Sequence, residues 1–137
     1  MPGGYLLDTH VFLGLANPAQ PPTGALARVL GDPTARVHLS VVTVAETCIK
    51  AALGKLPLPP AIEADPAVGF RAACEEAGYI LLPIDVEHAA VLRTLPPHHK
   101  DPFDHLIIAQ AKVEGATIIT SDRVFTEYGV RCFPAGR

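Results

Sequence analysis

The sequence predicts an α/β protein, a three-layer α/β/α sandwich around a central, mainly parallel sheet of about five strands. Two observations support this prediction. Short apolar runs of strand length alternate along the chain with segments of helical periodicity, which is typical of a parallel sheet with helices on both faces. The runs are apolar at consecutive positions, as expected of strands that are buried on both sides. The 137 residues fit one domain, taken as residues 1–137.

In the first half of the chain, each predicted strand leads into a helix. The first strand ends at Asp8, and Thr9 is expected to cap the helix that follows it. Thr23 is expected to open a short second helix. Gly54 suits the left-handed position after the third helix. The predicted elements of this half are strands at 5–7 and 37–39 and helices at 11–15, 23–30 and 44–53.

The second half continues the alternation and contains the most clearly marked helix. This helix has Asp101 at its N-cap, Pro102 at its first position and Gly115 after its last turn. Another helix is closed by Gly78, and Asp85 is expected to cap the next one. The predicted elements are a proline-rich connection at 56–60, helices at 66–77, 85–95 and 101–114, strands at 79–82, 117–120 and 130–133, and a helical turn after residue 122.

The composition is that of a globular protein with a core, at 49% hydrophobic and 18% charged residues. No apolar run reaches the ~20 residues that a membrane span needs, and no basic region precedes the first apolar stretch, so neither a span nor a secretory signal is expected. Cys48, Cys74 and Cys132 form no CxxC pair, which favours reduced thiols and a cytoplasmic location. Domains that bind nucleic acid are usually basic, whereas this chain has a net charge of −3. Any contact with nucleic acid must therefore use a local group of cationic side chains.

Four acidic residues are predicted to meet at one edge of the sheet. Asp8 directly follows the first strand, and Asp122 follows the fourth. Glu46 lies in the first turns of the helix after the second strand. Asp104 begins the helix that runs back before the fourth strand, so it starts on the same side. Ligands of open α/β sheets sit beyond the carboxyl ends of the strands, and we therefore expect a site there.

The proximity of these acids implies a particular chemistry. Two carboxylates ~4 Å apart repel by roughly 4 kcal/mol at an effective dielectric constant near 20. Either some are protonated, or a cation lies between them. Hard oxygen ligands without clustered His or Cys suit Mg²⁺ or Mn²⁺. Such an ion can activate water and stabilise the charge that develops on a phosphate, so the sequence predicts phosphodiester hydrolysis.

Each acid also has a structural interpretation. Asp8 could simply begin the turn that follows a buried strand. Glu46 could be the return partner of a capping box that begins at Thr43. Asp101 suits an N-cap, and for this residue capping is the favoured interpretation. Asp104 lies near the positive end of the same helix dipole. Asp122 could cap the following turn. The support for a site is therefore the common location of the acids, not any one of them.

Four motifs follow one another along nearly the whole chain. They are Leu6-Leu7-Asp8-Thr9-His10, Ser40-Val41-Val42-Thr43-Val44-Ala45-Glu46, His99-Lys100-Asp101-Pro102-Phe103-Asp104 and Thr120-Ser121-Asp122. With these motifs in this order, the sequence resembles the PIN-domain ribonucleases, and within them the VapC-like toxins of type II toxin–antitoxin systems. Its segments 49–50 and 54–56 are similar to the subgroup that carries an Asp-Pro-Phe-Asp motif.

The resemblance implies RNA cleavage that depends on Mg²⁺ or Mn²⁺. It also implies a homodimer whose activity is inhibited by a cognate antitoxin. Two positions depart from the family pattern. His105 stands where many relatives have Arg, and Ala45 where many have Trp. The implied catalytic and metal-binding residues are Asp8, Glu46, Asp104 and Asp122. The implied supporting residues are Ser121, Thr120, Thr9 and Asp101.

RNA must be held through its phosphates, and five residues are candidates for these contacts, each with a solvated surface role as the alternative. They are Lys50, His99, Lys100, His105 and Arg123. Three other functions stay open. One is a catalytically silent module with the PIN fold, and another is cleavage of DNA. The third is a receiver-like, Mg²⁺-binding signalling domain, which is disfavoured because Asp8 has no adjacent acid and no suitable Lys follows the last strand.

Overall fold

The computed structural model of the chain describes residues 3–98 and 101–135, and within them lies a sheet of five parallel strands. The strand order is β3-β2-β1-β4-β5, and every neighbouring pair is parallel. The predicted α/β class and five-stranded sheet are therefore confirmed. The strands are β1 (Tyr5–Leu7), β2 (Val37–Ser40), β3 (Ile80–Leu82), β4 (Thr117–Thr120) and β5 (Cys132–Pro134).

The strand order changes direction next to β1, and this sets the position of the site. After β2 and β3 extend the sheet to one side of β1, the chain crosses over and forms β4 on the other side. The last aligned pair of β1 and β4 is Leu7 with Ile119. The ladder continues one residue further, since the amide of Asp8 donates to the carbonyl of Ile119 at 3.0 Å. Asp8 and Thr120 thus emerge side by side where open α/β sheets bind ligands.

Helices cover both faces of the sheet, and the strands alternate their side chains between the two layers. Leu6 and Ile118 face one cluster, while Leu7 and Ile119 face the other. This alternation is the period-two geometry of a strand buried on both sides. The described helices are α1 (Thr9–Leu15), α2 (Gly24–Gly31), α3 (Val41–Ala52), α4 (Pro60–Glu63), α5 (Pro66–Ala77), α6 (Val86–Val91) and α7 (Pro102–Glu114), with 3₁₀ turns at Leu92–Thr94 and Arg123–Tyr128.

Helices α5 and α7 begin and end where their capping residues predicted. Asp101 caps α7 by accepting a 2.9 Å hydrogen bond from the amide of Phe103. Gly78 and Gly115 follow α5 and α7 with φ of 76° and 67°. These left-handed angles cost glycine little, because it has no Cβ. The bounds of both helices are therefore as predicted.

Two predicted helix starts are wrong. Helix α3 begins at Val41, not near residue 44, because the hydroxyl of Ser40 accepts a 2.9 Å hydrogen bond from the amide of Val42 and caps the helix. Ser40 is at once the last residue of β2 and the cap of α3. Thr9 does not cap α1, which has Asp8 at its N-cap position. Its hydroxyl is instead hydrogen-bonded to that of Thr43 on α3, at 2.9 Å.

Smaller differences fall in the connections and at the sheet edges. The segment predicted as a proline-rich connection leads into the short helix α4. The edge strand β3 begins at Ile80, because the amide of Tyr79 still donates to Cys74 at the end of α5. The other edge strand, β5, runs from Cys132 to Pro134, two residues later than its predicted start. Within residues 3–98 and 101–135, no helix is long and apolar enough to cross a membrane.

Candidate metal centre

Asp8 lies at the carboxyl end of β1 and is almost completely buried, with 3% of its surface exposed. Its Oδ2 accepts a 2.8 Å hydrogen bond from the hydroxyl of Thr120, the last residue of β4. Its Oδ1 accepts none from the residues that the structure describes. Burial raises the pKa of this carboxyl above the usual 3.8, although the Thr120 hydrogen bond opposes the shift. The site therefore contains an acid with one unmet acceptor.

Glu46 lies in the second turn of α3 and is 1% exposed. Because Ser40 caps this helix, Glu46 is too far along it to close a capping box, and that alternative is wrong. Its Oε2 accepts from the ammonium of Lys50, one turn later, at 2.5 Å. Its Oε1 is buried and accepts no hydrogen bond within the described part of the chain. Glu46 is thus the second acid with an unmet acceptor.

Helix α7 brings two further carboxylates to the same place. Asp104 is buried, and Asp101 is partly exposed. Each of Glu46, Asp101 and Asp104 offers a carboxylate oxygen within 4.8 Å of the others. Capping and membership of the acidic cluster are therefore compatible for Asp101, whose other oxygen faces Lys50 at 3.6 Å. We call these three residues the acidic trio.

The start of α3 and the middle of α7 are joined below the trio. The hydroxyl of Ser40 donates to Oε1 of Gln110, and both side chains are fully buried. The side-chain amide nitrogen of Gln110 donates in turn to the backbone carbonyl of Pro83 at 3.0 Å. This contact fixes α7 against the end of β2, so the helices that carry Glu46 and Asp104 are held in register.

Asp122 lies on the exposed rim and outside the acidic trio. Its Oδ1 accepts a 3.0 Å hydrogen bond from the amide of Val124, so it caps the 3₁₀ turn that follows, as the structural interpretation held. Its own amide donates to the hydroxyl of Thr120 at 3.0 Å. Since the same hydroxyl donates to Asp8, Thr120 connects the two acids at this edge.

The other two supporting residues also lie at this edge. Thr9 is buried beside Asp8 and connects α1 to α3 through Thr43. Ser121 is exposed and lies in the wall that separates two surface clefts. The first cleft opens directly on Asp8 and has mostly apolar walls. Its lining residues include Asp8, His10, Val11, Leu15, Leu26 and Ser121.

The predicted RNA-contacting residues differ in what their side chains do. Lys50 is engaged with Glu46. Burial by itself lowers the pKa of Lys50, but the hydrogen bond and charge of Glu46, with the charge of Asp101, outweigh it and raise the pKa. His105 packs edge-on against Tyr128, with 3.0 Å between Nε2 and the phenol oxygen. Arg123 is exposed and lines the second cleft. His99 and Lys100 lie outside the described residues.

Two contacts at the site were not predicted from the sequence. The ion pair of Glu46 with Lys50 has a local signal, because a Glu four residues before a Lys on one helix is the favourable order. The hydrogen bond between Thr9 and Thr43 has none, since the two residues are 34 positions apart and either could serve a helix end.

The donor set fits a divalent cation. Four carboxylates, Asp8, Glu46, Asp101 and Asp104, gather at this edge. Of the basic groups in the described part of the chain, the ammonium of Lys50 contacts Glu46 and Asp101, and His10 Nδ1 lies 3.9 Å from Oδ1 of Asp8. Two buried oxygens in this group accept no hydrogen bond from the described residues. An unpaired buried acceptor costs about 1–3 kcal/mol, and all of these ligands are the hard oxygens that Mg²⁺ and Mn²⁺ prefer.

The sequence and the fold are those of a known family. The sequence profile of the PIN domain matches residues 5–130, so the chain belongs to the PIN domain family. PIN domains are generally nucleases. The resemblance that the four motifs indicated is therefore confirmed at the level of the family.

Solved structures show the same architecture. The chain is similar to FitAcB from Neisseria gonorrhoeae, at 26% identity and a TM-score of 0.64, with 96% of this chain and 97% of that chain covered. It is similar in fold to DNA-bound VapBC from Salmonella typhimurium, at 18% identity and a TM-score of 0.68 over 96% and 98% of the chains. VapBC-5 from Mycobacterium tuberculosis, a member of the VapBC family of toxin-antitoxin systems, is 20% identical with a TM-score of 0.58 over 99% and 100%. No curated protein sequence matches the chain closely enough to count as a relative.

Proposed function

We propose that this protein is an endoribonuclease that hydrolyses RNA phosphodiester bonds with Mg²⁺ or Mn²⁺. The observation that supports it most directly is the pair of buried oxygens, Asp8 Oδ1 and Glu46 Oε1, that accept no hydrogen bond from the described residues. Keeping such acceptors unpaired is unfavourable. Binding of a divalent cation by these oxygens removes the penalty and makes the arrangement functional.

In this proposal Asp8, Glu46 and Asp104 bind the ion directly. Asp122 is the fourth proposed ligand and approaches the ion from the exposed rim of the site. A bound ion lowers the pKa of a water molecule and stabilises charge that develops on the phosphate. Thr120 fixes Oδ2 of Asp8 and leaves Oδ1 for the ion. Asp101 stays in a supporting role, because one of its oxygens caps α7 and the other faces Lys50.

The substrate is proposed to enter along the clefts on either side of Ser121. Arg123 lines the second cleft with its side chain exposed, and can pair with a phosphate next to the one that is cut. His99, Lys100 and His105 remain predicted contacts. Lys50 leaves this group, because Glu46 and Asp101 already engage its ammonium.

The direct test is an RNA cleavage assay in Mg²⁺, Mn²⁺ or EDTA with wild type, Asp8→Asn and Asp104→Asn. Cleavage is expected with either metal and is expected to fall at least 100-fold in both variants. Asp32→Asn is the matched control, because Asp32 is exposed and an amide oxygen can still accept from Thr34. Activity in EDTA, or undiminished activity of Asp8→Asn, contradicts the mechanism.

The assay also separates the alternatives. A DNA strand of the same sequence run in parallel identifies the preferred nucleic acid. A wild type that binds Mn²⁺ but cleaves no more than Asp8→Asn indicates a catalytically silent module.

We further propose that the chain is the toxin of a toxin–antitoxin pair and forms a homodimer. Support comes from its similarity in fold to chains of VapBC complexes. The apolar cleft that opens on Asp8 offers a protein partner a place from which to block the site. Induced expression in a bacterial host is expected to arrest growth with wild type and not with Asp8→Asn. Light scattering that shows only monomer contradicts the homodimer.

A further inference from the structure

The ammonium of Lys50 lies inside the acidic site. It is 2.5 Å from Oε2 of Glu46 and 3.6 Å from Oδ2 of Asp101. It also lies 5.9 Å from the centre of the Phe103 ring, within the range of a cation–π contact. The side chain is only 28% exposed. Lys50 is thus held by groups on both α3 and α7, in a place where it neutralises negative charge.

The position of Lys50 bears on how many metal ions the site can take. The acidic trio of Glu46, Asp101 and Asp104 has the oxygen spacing of a metal-binding set. Lys50 already contacts two of its three members. Nucleases that use two ions place them ~3.5–4 Å apart between shared carboxylates. An ion at the Oε2 side of Glu46 must therefore displace the ammonium or meet its repulsion at close range.

The unmet acceptors lie elsewhere in the cluster. Oε1 of Glu46 and Oδ1 of Asp8 accept no hydrogen bond from the described residues, whereas Oε2 of Glu46 is satisfied by Lys50. The two oxygens of Glu46 are thus in different states, with one paired to a cation of the chain and the other open to an external cation. This asymmetry fits a site with a single external ion.

We propose that the ammonium of Lys50 takes the place of a second metal ion, so that the site binds one divalent cation. This inference rests on the proposed metal-dependent function, whose ion number it specifies. Lys50 acts as a positioning residue, since it directs one oxygen of Glu46 away from the external ion and holds Asp101 at the capping end of α7. It contacts no substrate in this role.

The test is the stoichiometry of Mn²⁺ binding, measured without RNA by titration calorimetry and by electron paramagnetic resonance. Wild type is expected to bind one Mn²⁺ per chain, and Lys50→Met two, because the second position becomes free. Lys50→Gln keeps a hydrogen-bond donor for Glu46 without the charge, and it is also expected to bind two. Lys50→Arg keeps the charge and is expected to bind one. A purely structural role of Lys50 changes the unfolding temperature of these variants and leaves the stoichiometry at one.

Each outcome decides the proposal. Two ions in wild type, or one ion in both Lys50→Met and Lys50→Gln, overturns it. If Lys50→Met does not fold, Lys50→Gln and wild type still give the answer. No Mn²⁺ bound by wild type overturns the metal-dependent function together with this inference. One ion bound without RNA cleavage removes the ribonuclease function and leaves the role of Lys50 intact.

Discussion

The hydroxyl of Thr120 donates a 2.8 Å hydrogen bond to Oδ2 of Asp8, a residue 112 positions earlier in the chain. The same hydroxyl accepts a 3.0 Å hydrogen bond from the amide of Asp122. The two contacts use the donor and one acceptor position of a single oxygen. One buried threonine therefore orients the acid at the end of β1 and ties down the loop after β4.

Replacing Thr120 is expected to weaken metal binding without removing a ligand. Thr120→Val removes the hydroxyl that donates to Oδ2 of Asp8 and accepts from the amide of Asp122. Partners that orient a metal ligand typically contribute 10–100-fold in affinity, and we expect a loss of this size for Mn²⁺ by titration calorimetry. Thr120→Ser keeps the hydroxyl and is the control, with affinity within a few-fold of wild type. A Thr120→Val protein that binds like wild type would show that Asp8 needs no such orientation.

Neutralising Asp8 is expected to stabilise the metal-free protein while it abolishes metal binding. Burial penalises the charged carboxylate, and Oδ1 accepts no hydrogen bond from the described residues, with His10 Nδ1 3.9 Å away. Asp8→Asn keeps an oxygen that can accept from Thr120 and removes the charge. We expect the free energy of unfolding in EDTA to rise by about 1–3 kcal/mol, measured by urea denaturation, whereas Asp32→Asn at the exposed surface is expected to give no such rise. A less stable Asp8→Asn would mean that the carboxylate is well accommodated without metal.

The raised pKa of Asp8 also sets the sign of a pH dependence. Folded Asp8 holds its proton more tightly than the unfolded chain, whose value is near 3.8. Between these two pKa values the folded state binds more protons, so this contribution to stability is present at low pH and is lost as pH rises through the folded pKa. The difference in unfolding free energy between wild type and Asp8→Asn, measured in EDTA from pH 3 to 8, is therefore expected to grow more unfavourable to wild type with rising pH. A difference that is flat or of opposite slope contradicts the shift.

Added metal is expected to reverse that destabilisation. A cation that binds only the folded protein stabilises it by about 2.7 kcal/mol at a free concentration 100 times its Kd. Mn²⁺ or Mg²⁺ should therefore raise the unfolding temperature of wild type and leave that of Asp8→Asn unchanged, in a differential scanning measurement. An equal rise in both proteins would indicate binding elsewhere on the surface. Ca²⁺ serves as a comparison, because it favours more ligands at longer distances.

The sequence was sufficient to predict features that depend on local signals. Helix α7 has its cap, its first-turn proline and its closing glycine within 15 residues, and its bounds were predicted correctly. Helix α3 was placed too late, because Ser40, which follows the predicted strand at 37–39, was not recognised as the residue that caps the helix. This error created the capping-box alternative for Glu46. The alternation of strands and helices was enough to predict the parallel sheet, and the acids were expected at the carboxyl ends of its strands.

Features that depend on side-chain direction could not be predicted in the same way. Asp101 was assigned a capping and supporting role, and its carboxylate also offers an oxygen to the acidic trio. Lys50 was predicted as an RNA contact with a solvated surface role as the alternative, because sequence gives its charge but not the direction of its ammonium. The hydrogen bond of Thr9 to Thr43 requires the spacing between α1 and α3, which only tertiary packing determines. Such contacts fix the geometry of the site.

The pair of Thr9 and Thr43 yields a prediction about that geometry. The two buried hydroxyls are 2.9 Å apart and connect the helix after Asp8 to the helix that carries Glu46. Replacing either residue by Val leaves the other hydroxyl with a lost partner, and we expect each single variant to lose about 1–3 kcal/mol of unfolding free energy. In the double variant both polar groups are gone, so the loss is expected to fall short of the sum by about 1 kcal/mol. Urea denaturation in EDTA of the wild type, the two single variants and the double variant measures these free energies as a double-mutant cycle.

Thr47 provides the matched control for this cycle. Its hydroxyl donates within α3, to the carbonyls of Thr43 and Val44. Thr9→Val combined with Thr47→Val is therefore expected to be additive, and additivity of the Thr9 and Thr43 changes as well would show that their contact carries no energy. The double Val variant regains part of its stability but loses the hydrogen bond that holds α1 to α3. Its Mn²⁺ affinity is therefore expected to stay below that of wild type, because the contact that sets α1, which follows Asp8, against α3, which carries Glu46, is then missing.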